Sequence, residues 1–185
     1  MQNQKSILHI GFTGHRPTKL GGYNIFTEPY RVLQRDLEDY IATRLEHYHT
    51  VVGHSGLALG GDTIWSKAIL AMKERFPDRV KFHAEIPMME QADAWFKKTD
   101  IDFWHEQIQK ADYQTVYGSL KGLTDAERRK MAVVYLNKRN EGMLDHSDVL
   151  LALWDGSSSG TGNAVAYGRK TNMEIAIVHP SVYFN

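Results

Sequence analysis

The sequence contains no cysteine. Disulfides, thiolate zinc sites, iron–sulfur clusters and a cysteine nucleophile are excluded together, and a reducing, cytoplasmic setting is the expectation. Net charge is missing too: 22 basic residues balance 22 acidic ones, and the pI is about 7.1. Such a balance favours neither a long nucleic-acid backbone nor an anionic membrane, so neither is expected as a partner. Long apolar runs are also absent. Met1 to Ser6 is polar, and the apolar stretch after it is broken by His9, Gly11 and Thr13, which argues against a signal peptide or a spanning helix. No repeat or linker interrupts the chain, and at 185 residues it is read as one domain over 1–185.

What is present is an ordinary soluble composition, 42% hydrophobic and 24% charged. Six short runs rich in β-branched and aromatic residues, at 7–12, 50–53, 80–86, 113–117, 149–154 and 174–178, alternate with longer amphipathic segments. The alternation predicts an α/β fold, Rossmann-like, with a mainly parallel sheet between helices. A helix is expected over 28–48, where Val32, Leu33, Leu37, Tyr40, Ile41 and Leu45 recur at helical spacing. Asp62 is placed to cap the next helix. A helical region carrying Gln91, Trp95, Phe103, Trp104 and Ile108 follows, then one opened by the capping-box pair Thr124 and Glu127 and running to Leu144. The run 149–154 is almost wholly apolar and is read as a central strand covered on both faces; a last helix is expected over 164–170.

In an open parallel sheet, ligands bind at the carboxyl ends of the strands, where strand order reverses. Three Gly-rich loops are expected there. The first offers Thr13, Gly14, His15 and Arg16; the second Ser55, Gly56, Gly60, Gly61 and Asp62; the one after the fifth strand Asp155, Gly156, Gly160, Thr161, Gly162 and Asn163. Glycines admit close approach of backbone N–H groups, and a following helix start carries partial positive charge, so these loops suit phosphate or carboxylate. Arg16 adds a bidentate donor. Neither a Walker A loop nor Gly-x-Gly-x-x-Gly occurs, since Gly60 and Gly61 lead into Asp62; this argues against a P-loop NTPase and a conventional NAD dehydrogenase.

Each residue also has a plainer reading. Asp62 is either a helix cap or a carboxylate that holds ribose or assists glycosidic cleavage. Asp155 either holds ribose or starts an Asp-Gly turn. The nine histidines are scattered, and His83, His105 and His146 lack partners at ligand spacing, so no metal site is expected; His15, beside Arg16, can donate to a phosphate. Trp95, Phe103, Trp104 and Trp154 read as core rather than as a stacking platform, and of the four Trp154, at the end of the central strand, is the best stacking candidate. Ser55, Ser157, Ser158 and Ser159 have no evident base, which argues against a serine nucleophile.

Thr13-Gly14-His15-Arg16, Ser55 through Asp62, Lys138-Arg139-Asn140 with Met143 and Asp145, and Ala152 through Gly156 with Gly160-Thr161 together resemble the YpsA-like proteins of the SLOG superfamily. Gln91 and Trp95 also fall where that family places such residues. The resemblance implies a Rossmann-like domain that binds a nucleotide or nucleotide-derived small molecule, with no cofactor required, and a homo-oligomer, dimer or larger. It singles out Gly60 and Asp62 as functionally important and favours Arg139 and Asn140 over the other basic residues of their helix, Arg128, Arg129, Lys130 and Lys138, which otherwise read as a solvated face. LOG enzymes cleave nucleoside monophosphates with a Glu three places after the Gly-Thr, where this chain has Ala164. The alternatives to a binding protein are therefore an N-glycosidase with Asp62 as its carboxylate, or a ligand-switched regulatory or assembly protein.

Overall fold

The apolar run Val149–Leu153 is buried throughout and forms a strand between two neighbours, as its lack of polar residues requires. The structure, a computed structural model, describes residues 5–184; the first four positions of the polar start at Met1 to Ser6 lie outside them. In chain order the elements are β1 (Lys5–Gly14), α1 (Glu28–Leu45), β2 (Tyr48–Ser55), α2 (Gly61–Arg75), β3 (Val80–Ile86), α3 (Lys98–Lys110), β4 (Tyr113–Val116), α4 (Asp125–Asp145), β5 (Val149–Leu153), α5 (Gly160–Lys170) and β6 (Glu174–Val178). All pairings are parallel and the strand order is β4-β3-β2-β1-β5-β6. The chain thus winds outward from β1 to the β4 edge and returns to the other side of β1 as β5. The crevice of such a sheet opens between the carboxyl ends of β1 and β5.

The period-two alternation of the strands separates two unequal cores. Leu8, Ile10 and Phe12 of β1 join Leu33, Leu37 and Ile41 of α1 and Ile64, Trp65, Ile69 and Met72 of α2 in the larger one. Trp65 stacks on Phe12 at 5.3 Å and donates its indole N–H to the His54 carbonyl at 2.9 Å, an aromatic pair worth about 1 kcal/mol beyond its burial. On the opposite face the apolar cluster is smaller, with Leu150 and Ala152 of β5 under Met143, Leu144, Ala164 and Val165 of α4 and α5.

Several boundaries differ from the sequence reading for local reasons. Helix α1 ends at Leu45, because Tyr48 pairs with Lys5 and already belongs to β2. Gln91 and Trp95 precede α3 in a series of turns; Gln91 is held there by donating to the Gly56 carbonyl and accepting from the Trp104 indole. Asp62 is not the cap of α2. That position is Gly60, at φ 107, and Asp62 is the second helical residue, its side chain turned back to β1. Helix α5 starts at Gly160, earlier than expected, because the Ser159 hydroxyl accepts the Gly162 N–H at 3.0 Å and draws Thr161, Gly162 and Asn163 into the first turn. The capping box of α4 forms as its sequence predicts: the Thr124 hydroxyl accepts from Glu127 N–H while the Glu127 carboxylate accepts from Thr124 N–H at 2.9 Å. Among the described residues no helix is long and apolar enough to cross a membrane.

Candidate functional site

The end of β1 is where the chain comes closest to itself. Gly61 N–H donates to the His15 carbonyl at 3.0 Å, and a Cβ on Gly14 would stand 2.8 Å from the Gly61 Cα. A Cβ on Gly60 would meet the His15 oxygen at 2.4 Å, so this glycine is required both by its positive φ and by the contact. On the other side, His15 N–H donates to the Leu153 carbonyl at 3.3 Å, and His15 Nε2 lies 2.7 Å from Asp155 Oδ1. The three loops are thereby fastened together around β1.

Between them and α4 lies a cleft of about 440 Å³. Thr13, Gly14, His15, Arg16, Asp62, Arg139, Asn140, Gly160, Thr161 and Asn163 all line it. The other sequence candidates build its walls instead. Buried Ser55 bonds through its hydroxyl to Ser66 and accepts from Leu57 N–H. Gly56 leaves the space that Arg139 fills: a Cβ there would lie 1.2 Å from the guanidinium. Gly60 and Gly61 pack against the β1 loop, and Gly156, at φ 86, makes the Asp-Gly turn. Asp155 accepts from the Ser157 hydroxyl and N–H as well as facing His15, and these contacts hold its carboxyl well below the usual range. It braces the loop rather than facing the cleft.

The floor of the cleft is a buried ion pair. Asp62, 3% exposed, accepts Gly14 N–H at 3.1 Å through Oδ1 and lies 3.4 Å from Arg139 Nη1 through Oδ2. Burial pushes the Asp62 carboxyl up, and Arg139, Arg16 and the Gly14 N–H oppose that without cancelling it. Arg139 is 5% exposed, and among the described residues its Nε–H has no hydrogen-bond partner. An unsatisfied buried donor is costly, on the order of 1–3 kcal/mol. Asn140 donates to the Gly160 carbonyl at 3.3 Å and ties α4 to the start of α5. The charged groups of the lining are Arg16, Lys19 and Arg139 against Asp62, an excess that suits an anion. The sequence reading missed Val133, Leu136 and Asn137 of α4, which also line the cleft. Their signal was helical spacing: they precede Asn140 by one or two turns on the same face.

Beyond Arg16 and Thr18, which line both spaces, the surface continues into a second cleft with Tyr23, Trp95, Phe96 and Lys97 on its walls. Trp95 packs half-buried against the larger core, as expected, and also lines open space; Phe103 is half-buried on the same space, and Trp104 is buried. Trp154 does not reach the main cleft; its indole donates to the Ser157 carbonyl at 2.8 Å and its ring faces Arg169. The histidines are less scattered in space than in sequence: His83 has partners after all, because β2 and β3 pair His54 with His83 and bring Glu85 beside them.

A parallel sheet that reverses its order at β1, with Gly-rich loops and a helix start gathered at that point, defines a Rossmann-like α/β protein with an open crevice. Sequence comparison narrows the class. The chain matches the YpsA family (YspA SLOG family) over residues 10–181 and belongs to it. It is 28% identical over 142 residues to the uncharacterized SPbeta prophage-derived protein YoqJ of Bacillus subtilis (strain 168), an alignment covering 70% of this chain and 77% of that one. Among solved structures it is similar to the single-stranded-DNA-binding DNA processing protein A from Helicobacter pylori, at 16% identity and a TM-score of 0.53. That match covers 92% of this chain but only 64% of the other, and it concerns the fold alone.

Proposed function

We propose that the cleft between β1 and β5 binds a small nucleotide or nucleotide-derived anion. The observation that carries this reading is Arg139: a buried guanidinium at the floor of the cleft, with the exposed Arg16 also on its lining. A phosphate seated there would take charge-assisted hydrogen bonds from both arginines and from the first turn of α5 at Thr161 and Asn163. The adjoining cleft with Tyr23 and Trp95 offers aromatic surface to a base. Asp62, with one oxygen on Gly14 N–H and the other on Arg139, keeps lone pairs for a ribose hydroxyl. Thermal shift with nucleoside monophosphates, NAD and ADP-ribose derivatives tests the reading. A rise in melting temperature is expected for at least one compound, with affinity about tenfold weaker in Arg16→Ala, whose exposed side chain is not needed for folding. No shift with any of them at millimolar concentration would remove the proposal.

The raised Asp62 carboxyl favours a second reading, hydrolysis of a nucleoside monophosphate at its N-glycosidic bond. Water would supply hydroxide to the anomeric carbon and a proton to the departing base, with Asp62 moving that proton. Chromatography of the same incubations detects free base, and its release must stop in Asp62→Asn. The likeness to a protein that binds single-stranded DNA adds a third arm: labelled oligonucleotides followed by anisotropy, where tight binding would place the chain with that neighbour instead. Light scattering with and without ligand reads assembly, for which a homo-oligomer is proposed.

A further inference from the structure

The sheet face beneath α4 is polar where a core would ordinarily be apolar. His9 of β1, His54 of β2 and His83 and Glu85 of β3 share it, with side-chain exposures of 1% for His54, 0% for Glu85 and 16% for His83. Glu85 Oε1 lies 2.8 Å from His54 Nδ1 and 3.7 Å from His83 Nε2, while the Tyr117 hydroxyl donates to Oε2 at 2.8 Å. One donor atom from each of His54, His83 and Glu85 falls within 4.8 Å of the other two. Among the described residues the ion-pair partners of Glu85 are these two imidazoles alone. The buried carboxylate is held by hydrogen bonds from His54 and Tyr117, with Arg139 acting on it at longer range, and no Lys or Arg among the described residues forms a contact ion pair with it.

We propose that His54, His83 and Glu85 form a binding site for a divalent cation of the zinc class. Two imidazoles and one carboxylate oxygen, gathered within 4.8 Å of one another, are a zinc-type donor set, and the ion would put a positive charge in direct contact with the carboxylate. Tetrahedral bonds of about 2.0–2.1 Å put donors about 3.4 Å apart, and the separations of 2.8 and 3.7 Å fall on either side of that. The supporting contacts are already in place. With the ion on Nδ1, the His54 Nε2–H donates to His9 Nδ1, 2.9 Å away, and Tyr117 occupies Glu85 Oε2 so that Oε1 is left for the metal. Binding exchanges the His54–Glu85 and His83–Thr115 hydrogen bonds for coordination. The partly exposed His83, with the His146 ring 6.4 Å from its own, marks the way in. Three protein donors leave a coordination position for water.

The test is metal titration of the untagged full-length chain after treatment with a chelator. One equivalent of Zn²⁺ per chain is expected by equilibrium dialysis, and Co²⁺ should give visible absorption bands that Zn²⁺ abolishes. His83→Gln, chosen because that side chain is partly exposed, and Glu85→Gln should each lose stoichiometric binding. Tyr117→Phe should weaken it about tenfold, and His105→Ala on α3 should leave it unchanged. Circular dichroism establishes that each variant is folded; should Glu85→Gln not fold, His83→Gln decides alone. The proposal is overturned if the parent chain takes up no Zn²⁺ or Co²⁺ at stoichiometric concentration, or if His83→Gln binds them as the parent does.

Discussion

At the scale of single residues, the site depends on one void and one charge. Gly56 is small because Arg139 occupies the place of its side chain. Gly56→Ala is expected to cost about 1–3 kcal/mol, since the guanidinium must leave its place beside Asp62 to make room for the methyl group. Urea unfolding measures the loss, and a variant as stable as the parent would show that Arg139 can leave its seat. Asp62→Ala removes the counter-charge and leaves Arg139 buried alone, at a cost of about 3–5 kcal/mol. Asp62→Asn keeps the volume and an acceptor for Gly14 N–H, so it should cost distinctly less in the same experiment. Residues with distinctive chemistry, Arg16, Asp62 and Arg139 among them, were legible in the sequence. Which of them line the cleft was not legible, because Gly56 and Gly61 are indistinguishable in sequence from a glycine that approaches a ligand.

Elements are joined by a few long-range polar contacts, and one of them responds to pH. Glu90, in the turns after β3, accepts Leu120 N–H at 2.9 Å and the Ser119 hydroxyl at 2.7 Å, binding that segment to the turn before α4. Burial acts to raise its carboxyl, but these hydrogen bonds and Arg128 outweigh it and hold the group below its ordinary value of 4.5. A depressed folded value means that the unfolded chain binds the proton more readily. The stability from Glu90 is therefore complete above about pH 4.5 and is lost as pH falls through the lower folded value. Denaturant midpoints should show Glu90→Gln less stable than the parent at pH 7, with the gap closing towards pH 3; a gap that stays constant would assign the effect to shape instead. The capping box at Thr124 was readable because it is local, whereas the turns carrying Gln91 and Glu90 were not, since the groups that fix them come from Gly56, Trp104 and Leu120.

Across the whole molecule, the cleft is assembled from the end of β1, the start of α2, one side of α4 and the first turn of α5, segments far apart in the chain. A ligand bound there should slow amide hydrogen exchange at 13–16, 137–140 and 159–163 together, and leave the β4 edge as it was. Mass spectrometry of exchanged peptides reads all of these at once. Protection confined to β4 or β6 would move the binding site to the sheet edges.

The sequence by itself determined the alternation of six apolar runs with helices, the burial of Val149–Leu153, the α4 capping box and the identity of the Gly-rich loops. These follow from periodicity, propensity and caps, which act over a few residues. Only the tertiary structure decided that Asp62 turns from its own helix towards Gly14 and Arg139, that Trp154 faces its own loop, and that His54 meets Glu85 from 31 positions away. Parallel strands bring their neighbours together through intervening helices, so a pairing such as His54 with His83 leaves no mark at any fixed spacing in the chain.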